Sequence, residues 1–285
     1  MIKIVIDSAS DIDLEEATEK GIYLLPIEVS FKGETYLDGV NLSHKDFFEK
    51  LIEDDELPKT SQINPYRFEE KFLELTEDGS EVICITLSSK LSNTYNNALL
   101  AAKNFKDKVF VVDSLNACIG ERILCEYAIR LVHENRLSAS EVAKELDRRK
   151  NDIELLAVVG TLKYLKKGGR ISSVVAFTGE LLSIKPVLSI VNGQVKMVGK
   201  ARGSKNGNNM LVEKINSCGG IDFTYPYATA YSGLSSDFLE KYLKDSAQLW
   251  QKNTNEVPIY QIGSTIGTHI GPGGIAVAFF AKKEN

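Results

Sequence analysis

Strand-like and helix-like segments alternate through the first half of this chain, and that alternation constrains its fold more than any other feature. Short apolar runs rich in β-branched residues end in polar loops, and each loop leads into apolar residues at helical spacing. Strands that alternate with helices predict a mostly parallel, doubly wound sheet flanked by helices. The strand-like runs are Lys3–Ile6, Tyr23–Phe31, Val82–Leu87, Val109–Val112 and Glu154–Val159.

Capping residues predict where several helices begin. Asp11 is the predicted N-cap of the first helix, and Ser43 that of the next. Pro65 fits the first turn of a third helix. The segment Ser138–Glu141 forms a capping box for a later helix. Between two strand-like runs, Lys32–Glu34 predicts a hairpin turn.

The second half of the chain shows a different pattern. Asn192-Gly193 lies between two apolar runs, which is a strong signal for a type I′ hairpin. We expect a smaller α+β domain with a mixed or antiparallel sheet, and we place the boundary near Val159-Gly160. The domains are then an N-terminal α/β domain of residues 1–159 and a C-terminal domain of residues 160–285. Predicted elements are strands at Ile184–Ile190, Val195–Val198, Ala228–Tyr231, Pro258–Ile262 and Ile275–Phe280, and helices near Asn208–Ile215 and Ser236–Trp250.

Composition argues against several classes of protein. The chain of 285 residues is 43% hydrophobic and 26% charged, which is ordinary for a soluble globular protein. A net charge of -5 argues against a nucleic-acid-binding surface, which usually needs a basic face. No apolar run approaches the roughly 18 residues that span a bilayer, and the N-terminus resembles a strand more than a signal peptide. We therefore expect a cytoplasmic protein without an integral membrane segment.

Hydroxyl-rich and glycine-rich segments are scattered along the chain with few acids or bases beside them. Hydroxyls and an imidazole can hold a small anionic group by hydrogen bonds, but they do little chemistry unless a base activates one of them. The sequence contains no cluster with metal-ligand spacing, no G-x-S-x-G elbow and no P-loop. The pattern therefore favours binding a ligand over transforming it. The segments are Asp7–Asp11, Thr60–Gln62, Ser88–Thr94, Gly168–Ser172 and Gly267–Gly274.

Three hydroxyl-bearing loops follow predicted parallel strands, and ligands bind outside the carboxyl ends of such strands. We expect Ser8 and Ser10, Ser88–Thr94 and Asp113-Ser114 to share one rim, where helix N-termini favour an anion. The alternative is that each Ser or Asp only caps a helix.

One histidine and two arginines stand out in the second half. His269 lies just before Gly271–Gly274, whose glycines let the backbone approach a ligand closely, and a structural role is the alternative. Arg170 ends the basic stretch Lys163–Arg170, and Arg202 is a second candidate for contacting a headgroup, a phosphate or an acidic partner. A solvated basic face is the alternative for that stretch.

Together these segments resemble the DegV family, whose members are similar to FakB, the fatty-acid-binding subunit of bacterial fatty acid kinase. The resemblance runs from about Lys3 to Phe280 and depends on the order and spacing of its motifs. The match is close at Leu162–Ser172, Ile184–Leu188 and Gly267–Gly273. The resemblance implies an α/β N-terminal domain, a smaller C-terminal domain, and one long acyl chain bound between them in an apolar tunnel.

The resemblance also implies roles for single residues. Hydroxyls and the histidine would hydrogen-bond the carboxylate, and two arginines would contact the phosphoryl group or a docked kinase subunit. The carboxylate-binding residues are Thr60, Ser61, Ser92, Asn93 and His269, and the arginines are Arg170 and Arg202.

By the same resemblance, the chain is a lipid-binding protein rather than an enzyme, with no catalytic residue, metal or cofactor of its own. A separate kinase subunit, similar to FakA, would bring ATP and metal. The chain would present the fatty acid for acyl-phosphate formation and carry the product to phospholipid synthesis. Its expected partners are a long-chain fatty acid and that kinase subunit, and not nucleic acid.

The chain departs from the family pattern at several positions, which implies differences in chain-length preference and headgroup geometry. A β-carbon at Asn93 narrows the headgroup loop or requires a tolerant backbone. The departures are Ala9, Ile63-Asn64, Asn93, and Glu121-Arg122 after Gly120.

Two other functions stay open from the sequence. A stand-alone hydrolase or phosphotransferase would need a nucleophile beside a base, and Ser92 with His269 is the pair that the sequence offers. A binding module for another small anion would have a short polar cavity instead of a long apolar one.

Overall fold

The computed structural model describes residues 1–54, 56–171, 184–251 and 256–282. Ser172, the last residue of the segment Gly168–Ser172, lies outside the described residues. The strands are β1 (Ile2–Asp7), β2 (Tyr23–Leu25), β3 (Glu28–Phe31), β4 (Glu34–Leu37), β5 (Lys59–Ser61), β6 (Glu81–Thr86), β7 (Val109–Asp113), β8 (Ile153–Val158), β9 (Ile184–Val191), β10 (Gln194–Arg202), β11 (Tyr227–Ser232), β12 (Ile259–Gln261) and β13 (Gly274–Phe280). The α-helices are α1 (Leu14–Glu19), α2 (His44–Glu53), α3 (Pro65–Thr76), α4 (Thr94–Ala102), α5 (Ile119–His133), α6 (Ala139–Arg149), α7 (Lys163–Lys167), α8 (Gly203–Ser217), α9 (Asp237–Asp245), α10 (Ala247–Trp250) and α11 (Ser264–Ile270).

Four strands form a parallel sheet in the order β2-β1-β6-β7. In β6, the side chains of Ile83 and Ile85 pack in one core with residues of α5 and α6. Val82 and Cys84 pack in another core with residues of α3 and α4. Continuous apolar strands are typical of parallel sheets that are covered on both faces. The predicted parallel sheet flanked by helices is confirmed.

A second sheet of six strands has the order β10-β9-β8-β13-β11-β12. Its pairs are antiparallel except for β11 with β12, which confirms the expected mixed sheet. The strand predicted at Glu154–Val159 was wrongly assigned to the parallel sheet, because β8 pairs antiparallel with both β9 and β13. The expected boundary near Val159-Gly160 stays a prediction, and the change from one sheet to the other precedes it, between α6 and β8.

Both predicted hairpins are present. Asn192 and Gly193 have positive φ values of 51° and 78°, as a type I′ turn requires, and they join β9 to β10. β3 and β4 pair antiparallel in a small sheet of order β4-β3-β5. The predicted strand Tyr23–Phe31 was wrong as one unit, since it divides into β2 and β3 in different sheets. The division falls at Pro26, which has no N–H for a strand ladder.

Asp11 does not cap the first helix, contrary to the prediction. It adopts the left-handed conformation, with φ 58°, at the end of a 3₁₀ turn over Ser8–Ser10. Its carboxylate accepts a hydrogen bond from the Gly263 N–H at 2.8 Å. Asp13 is the N-cap instead, because its side chain accepts from the Glu16 N–H. Both positions carry aspartate, so capping preference alone did not separate them.

Most of the other predicted helix starts are confirmed, but the helix predicted near Asn208 begins at Gly203, and two helices were missed. Ser43, Pro65 and the capping box at Ser138 begin α2, α3 and α6. The helix predicted over Ser236–Trp250 is two helices, α9 and α10, separated by Ser246. α7 and α11 have five and seven residues, which is too short for an apolar repeat to mark them. In the described ranges, no helix combines the length and apolarity needed to cross a bilayer.

Arg122 joins three elements in the interior. Its guanidinium donates to both carboxylate oxygens of Glu16, at 2.5 and 2.8 Å, and to the Asp11 carbonyl at 2.6 Å. It also stacks on the Tyr260 ring, 3.7 Å from the centroid. This departure from the family pattern therefore ties α5 to α1 and to β12.

We predict that Arg122→Ala lowers the free energy of unfolding by about 3 kcal/mol, because Glu16, in a partly buried position, loses the guanidinium that bonds both of its carboxylate oxygens. Urea denaturation measures the change. The matched control is Arg148→Ala, which removes an exposed ion pair with Glu145 on α6 and should cost at most about 1 kcal/mol. Equal losses for the two variants would contradict this account.

Candidate functional site

A cavity of about 420 Å³ lies between the six-stranded sheet and the loops that follow β2, β6 and β7. These loops stand at the carboxyl ends of the parallel strands, which is where open α/β sheets bind ligands. α11 closes another side of the cavity. The wall formed by β8, β9 and β13 is mostly apolar, with one hydroxyl residue, Ser189; its apolar side chains are those of Leu155, Ala157, Leu188, Ile190, Ile275 and Ala276.

The five residues predicted to bind a carboxylate, Thr60, Ser61, Ser92, Asn93 and His269, all line this cavity. Contacts between neighbours gather them at one end: Thr60 is hydrogen-bonded to His269, and Arg170 bonds the main chain just before Ser92. Ser61 and Asn93 are exposed, and the other three are partly exposed, whereas most of the apolar wall is buried. The cavity therefore has a polar opening and an apolar interior.

Thr60 and His269 form the centre of the opening. The Thr60 Oγ1 and His269 Nε2 atoms are 3.0 Å apart, although the residues are 209 positions apart in the sequence. The other ring nitrogen, Nδ1, is buried, and a β-carbon on Gly168 would lie only 2.3 Å from it. Glycine at this position makes room for the ring. When Nε2 donates to Thr60, the threonine hydroxyl keeps its own hydrogen for an anion.

The His269 imidazole is neutral at physiological pH. Burial, and then the positive charge of Arg170, lower the pKa of His269 to about 4. The ring can therefore form hydrogen bonds without carrying a charge. An unfolded chain takes up this proton near pH 6.5 and the folded chain near pH 4, so His269 reduces folding stability as the pH falls through that interval.

The two predicted arginines occupy different places. Arg170 lines the cavity, and its guanidinium donates to the carbonyls of Leu91 and Gly168 at 3.2 and 2.6 Å. These two bonds hold a positive charge at the opening, beside His269. Arg202 is exposed at the end of β10 and is not part of the cavity lining. The structure brings Arg170, but not Arg202, together with the five residues that were predicted to bind a carboxylate.

Ser92 and Asn93 lie in the loop before α4. The Ser92 hydroxyl is 2.9 Å from the Thr94 hydroxyl and accepts from the Thr94 N–H. The Asn93 side chain bonds Asn96 and Asn97 along the first turn of α4. Its φ of -81° is ordinary for any residue, so the β-carbon expected to disturb this loop is accommodated.

Of the hydroxyl and carboxylate residues in the expected rim, Ser92 lines the cavity and the others do not. The Ser8 hydroxyl accepts from the Ile27 N–H at 3.0 Å, and the Ser10 hydroxyl donates to the Asp7 carbonyl at 2.8 Å. The Asp113 carboxylate accepts two N–H bonds from neighbouring loop residues. These groups shape the loops at the rim and are satisfied by main-chain atoms.

Two buried carboxylates hold the N-terminus of α11. Asp38 accepts two main-chain N–H bonds from the first turn of the helix, at 2.9 and 3.2 Å. Asp11 accepts the N–H of Gly263, the residue before the helix, at 2.8 Å. Because α11 carries His269, these bonds decide where the imidazole lies. Sequence analysis missed Asp38, since nothing near it indicates a helix 226 positions later.

The groups at the opening are hydrogen-bonding groups and one positive charge, without a metal-binding cluster. In the portions of the chain that are described, no group of three or more His, Cys, Asp or Glu residues is arranged to hold a metal ion. The Ser92 hydroxyl is bonded to Thr94 and the His269 ring to Thr60. Hydroxyls, a neutral imidazole and one guanidinium suit a bound carboxylate.

Comparison with known proteins identifies the family. The sequence profile of the DegV family of uncharacterised proteins matches residues 1–282. The chain belongs to the DegV family. DegV domain-containing proteins of Caldanaerobacter subterraneus subsp. tengcongensis and of Staphylococcus aureus strain COL are each 32% identical to it, over 99% and 98% of both chains.

Solved structures of DegV proteins have the same fold. A DegV family protein from Thermus thermophilus, described as binding fatty acid, aligns with a TM-score of 0.86 and 29% identity over 99% of both chains. DegV of Bacillus subtilis, described as a fatty acid binding protein, aligns with a TM-score of 0.81 and 30% identity over 99% of both chains. These likenesses confirm the predicted α/β fold class and the DegV resemblance.

We predict that the imidazole of His269 titrates near pH 4 in lipid-free DegV protein and at a higher pH once palmitate is bound, because a neighbouring carboxylate favours the charged ring. Proton NMR of the histidine Cε1–H signals measures both values. The His269 signal is the one missing from the His269→Gln spectrum. A midpoint near 6.5 in the lipid-free protein would contradict the buried, neutral imidazole.

Proposed function

We propose that this chain binds one long-chain fatty acid, with the acyl chain in the apolar cavity and the carboxylate at its polar opening. The observation that carries the proposal is the division of one cavity into an apolar interior and an opening of hydroxyls, a neutral imidazole and a guanidinium. The DegV proteins of Thermus thermophilus and Bacillus subtilis, both described as binding fatty acids, support it.

The affinity in this proposal comes from the acyl chain. Each buried methylene contributes about 0.8 kcal/mol, so a chain of roughly sixteen carbons yields about 12 kcal/mol before the ordering costs. The opening then needs only to orient the ligand and to satisfy a carboxylate that has lost part of its water. Neutral donors are sufficient for that purpose.

We assign the carboxylate contacts to the residues at the opening. The Thr60 hydroxyl lies beside the imidazole of His269 and can donate while it accepts from the ring. Hydroxyl groups from Ser61 and Ser92 and the Asn93 side chain surround the same end of the cavity. Arg170 adds a positive charge whose pairing with a carboxylate strengthens the hydrogen bonds.

We further propose that the bound acid is the substrate of a separate fatty acid kinase subunit. With the carboxylate at the opening, one of its oxygens can attack the γ-phosphorus of ATP held by the kinase, forming an acyl-phosphate and releasing ADP. Arg202 is exposed and stands in a basic segment, Lys163–Lys205, which contains nine Lys or Arg and one Glu. An exposed positive charge such as that of Arg202 suits an acidic partner or a phosphoryl group. In this role the chain works in the cytoplasm, and the acyl-phosphate continues to phospholipid synthesis.

The stand-alone enzyme is not favoured by any contact in the described structure. It needs the Ser92 hydroxyl to lie beside the His269 base, and both side chains are hydrogen-bonded to threonines instead. The alternative of a small-anion module needs a short polar cavity, whereas the walls here are mostly apolar.

Lipid extraction tests the binding function. We predict that organic extraction of the purified chain, followed by mass spectrometry, releases about one long-chain fatty acid per chain, and that the lipid-free protein takes up palmitate. Hexadecane, which has no carboxylate headgroup, is the control ligand that shows how much of the binding depends on that headgroup. The proposal would be refuted if no fatty acid co-purified and the lipid-free protein took up neither palmitate nor oleate.

Arg202 tests the kinase role separately. We predict that Arg202→Glu lowers acyl-phosphate formation by about tenfold when the palmitate-loaded chain is mixed with ATP and a fatty acid kinase subunit, since the charge at the docking surface is reversed. Hydroxylamine trapping measures the product. The control is Lys241→Glu, an exposed charge reversal on α9. An equal rate for the two variants, or product formed without the kinase, would contradict the assignment.

A further inference from the structure

The hairpin formed by β9 and β10 extends beyond the sheet to which it belongs. β8 pairs with β9 from Val158 opposite Val187 to Leu156 opposite Ser189, where the ladder ends. β8 itself begins three residues earlier, at Ile153. In the described structure, residues 190–196 of the hairpin are therefore not paired with β8, and we call them the flap.

The flap forms part of the cavity wall. Ile190 and Val195, which are paired across the hairpin, both line the cavity and are partly buried against the core that contains α5. At the base of the flap, the register of the hairpin shifts between Met197 and Gly199, which marks a β-bulge. A bulge interrupts the ladder and bends its strand, so β10 can flex there.

Ser88 fastens the tip of the flap to the N-terminal part of the chain. Its hydroxyl donates to the Gly193 carbonyl at 2.8 Å, and among the described residues this is the one hydrogen bond between the flap and the loops that follow β6 and β7. Both residues are buried, and a β-carbon on Gly193 would lie 2.5 Å from the Ser88 hydroxyl and 3.3 Å from Leu115. Leu87 and Leu91, on either side of Ser88, line the cavity. The contact is therefore a seam between two parts of the cavity wall.

The other sides of the cavity are fastened by charged groups. Asp11 and Asp38 hold the start of α11 through three main-chain N–H bonds. At the opening, the Arg170 guanidinium bonds two carbonyls, and Thr60 is bonded to His269. Hydrogen bonds that involve an ionised group are about twice as strong as neutral ones. The seam at Ser88, which is closed by one neutral hydrogen bond, is thus the part of the wall that opens most easily.

We propose that the flap is the gate through which the acyl chain enters and leaves the cavity, with residues 197–199 as its hinge and the Ser88–Gly193 hydrogen bond as its latch. The inference rests on the proposed binding of a fatty acid. When the flap swings outward about the bulge, Ile190 and Val195 leave the wall and the cavity opens along its side. The open state exposes these apolar side chains to water, so it is a minor state, and its population limits the rate of ligand exchange.

Removal of the latch tests the gate. We expect Ser88→Ala to raise the rate constants for both uptake and release of palmitate by about fivefold, which corresponds to the loss of one neutral hydrogen bond. The dissociation constant should stay the same, because both steps pass through the same open state. Stopped-flow displacement of a fluorescent fatty acid measures the two rates. The matched control is Ser10→Ala, since Ser10 is equally buried and donates to the Asp7 carbonyl at 2.8 Å, away from the hairpin.

Two results from these variants would overturn the inference. One is exchange in Ser88→Ala that is no faster than in Ser10→Ala. The other is a weaker dissociation constant with an unchanged rate of uptake, which would make Ser88 a contact for the ligand instead of a latch.

A reversible disulfide tests the same motion in the opposite direction. Cysteines in place of Ser88 and Gly193 are close enough to be joined, given the 2.5 Å between the Ser88 hydroxyl and a β-carbon at Gly193. We expect the oxidised double variant to exchange palmitate at least about tenfold more slowly than the same protein after reduction, because a latched lid blocks ligand exchange. Gly193→Cys alone, treated with the same oxidant, is the control, because it keeps the backbone strain and the native cysteines. Equal exchange before and after reduction would overturn the gate.

Palmitate binding at equilibrium separates this inference from the function on which it rests. If the unmodified chain binds no palmitate, the fatty-acid function fails. If it binds palmitate but neither Ser88→Ala nor the disulfide changes the exchange rates, only the gate fails. The rates of Ser88→Ala decide the question even if the double cysteine variant does not fold.

Discussion

The site depends on the attachment of one short helix to the opposite part of the chain. Asp11 and Asp38 accept three main-chain N–H groups at the start of α11, at 2.8 to 3.2 Å, and both carboxylates are buried. A buried carboxylate is tolerated only when it is hydrogen-bonded, so these aspartates hold the helix start firmly. α11 in turn carries His269 to Thr60 and presents one face to the cavity. The attachment thereby couples the N-terminal loops to the wall formed by the six-stranded sheet.

The placement of polar and apolar groups suggests separate sources for the affinity and the orientation of the proposed ligand. The apolar wall can contribute most of the binding free energy, because burial of methylenes is additive along an acyl chain. In the proposed function, the opening orients the ligand through a neutral His269, hydroxyls such as that of Thr60, and the charge of Arg170. Gly168 makes the opening possible, since any side chain there would displace the imidazole. DegV relatives described as fatty-acid binding have the same fold, which is consistent with this division.

Local patterns predicted the parallel sheet, the hairpin at Asn192-Gly193 and the hydroxyl segments. Strand periodicity, turn chemistry and composition each depend on only a few adjacent residues, so the sequence shows them directly. They did not predict α11, which is too short to show a repeat, or the membership of β8 in the second sheet, which depends on pairing with a distant strand. Asp11 was mistaken for a helix cap, because its partner Gly263 is 252 positions away. The family resemblance identified the residues at the opening, whereas Asp38, which positions α11, became apparent only in the structure.

A crystal structure of the chain with palmitate tests the central claim most directly. The account predicts continuous density for the acyl chain along the wall of Leu155, Leu188 and Ile275, with a carboxylate oxygen within about 3.2 Å of Thr60 Oγ1 or His269 Nε2. Density with the carboxylate in the interior, or a cavity filled by rearranged side chains with palmitate elsewhere, would contradict it.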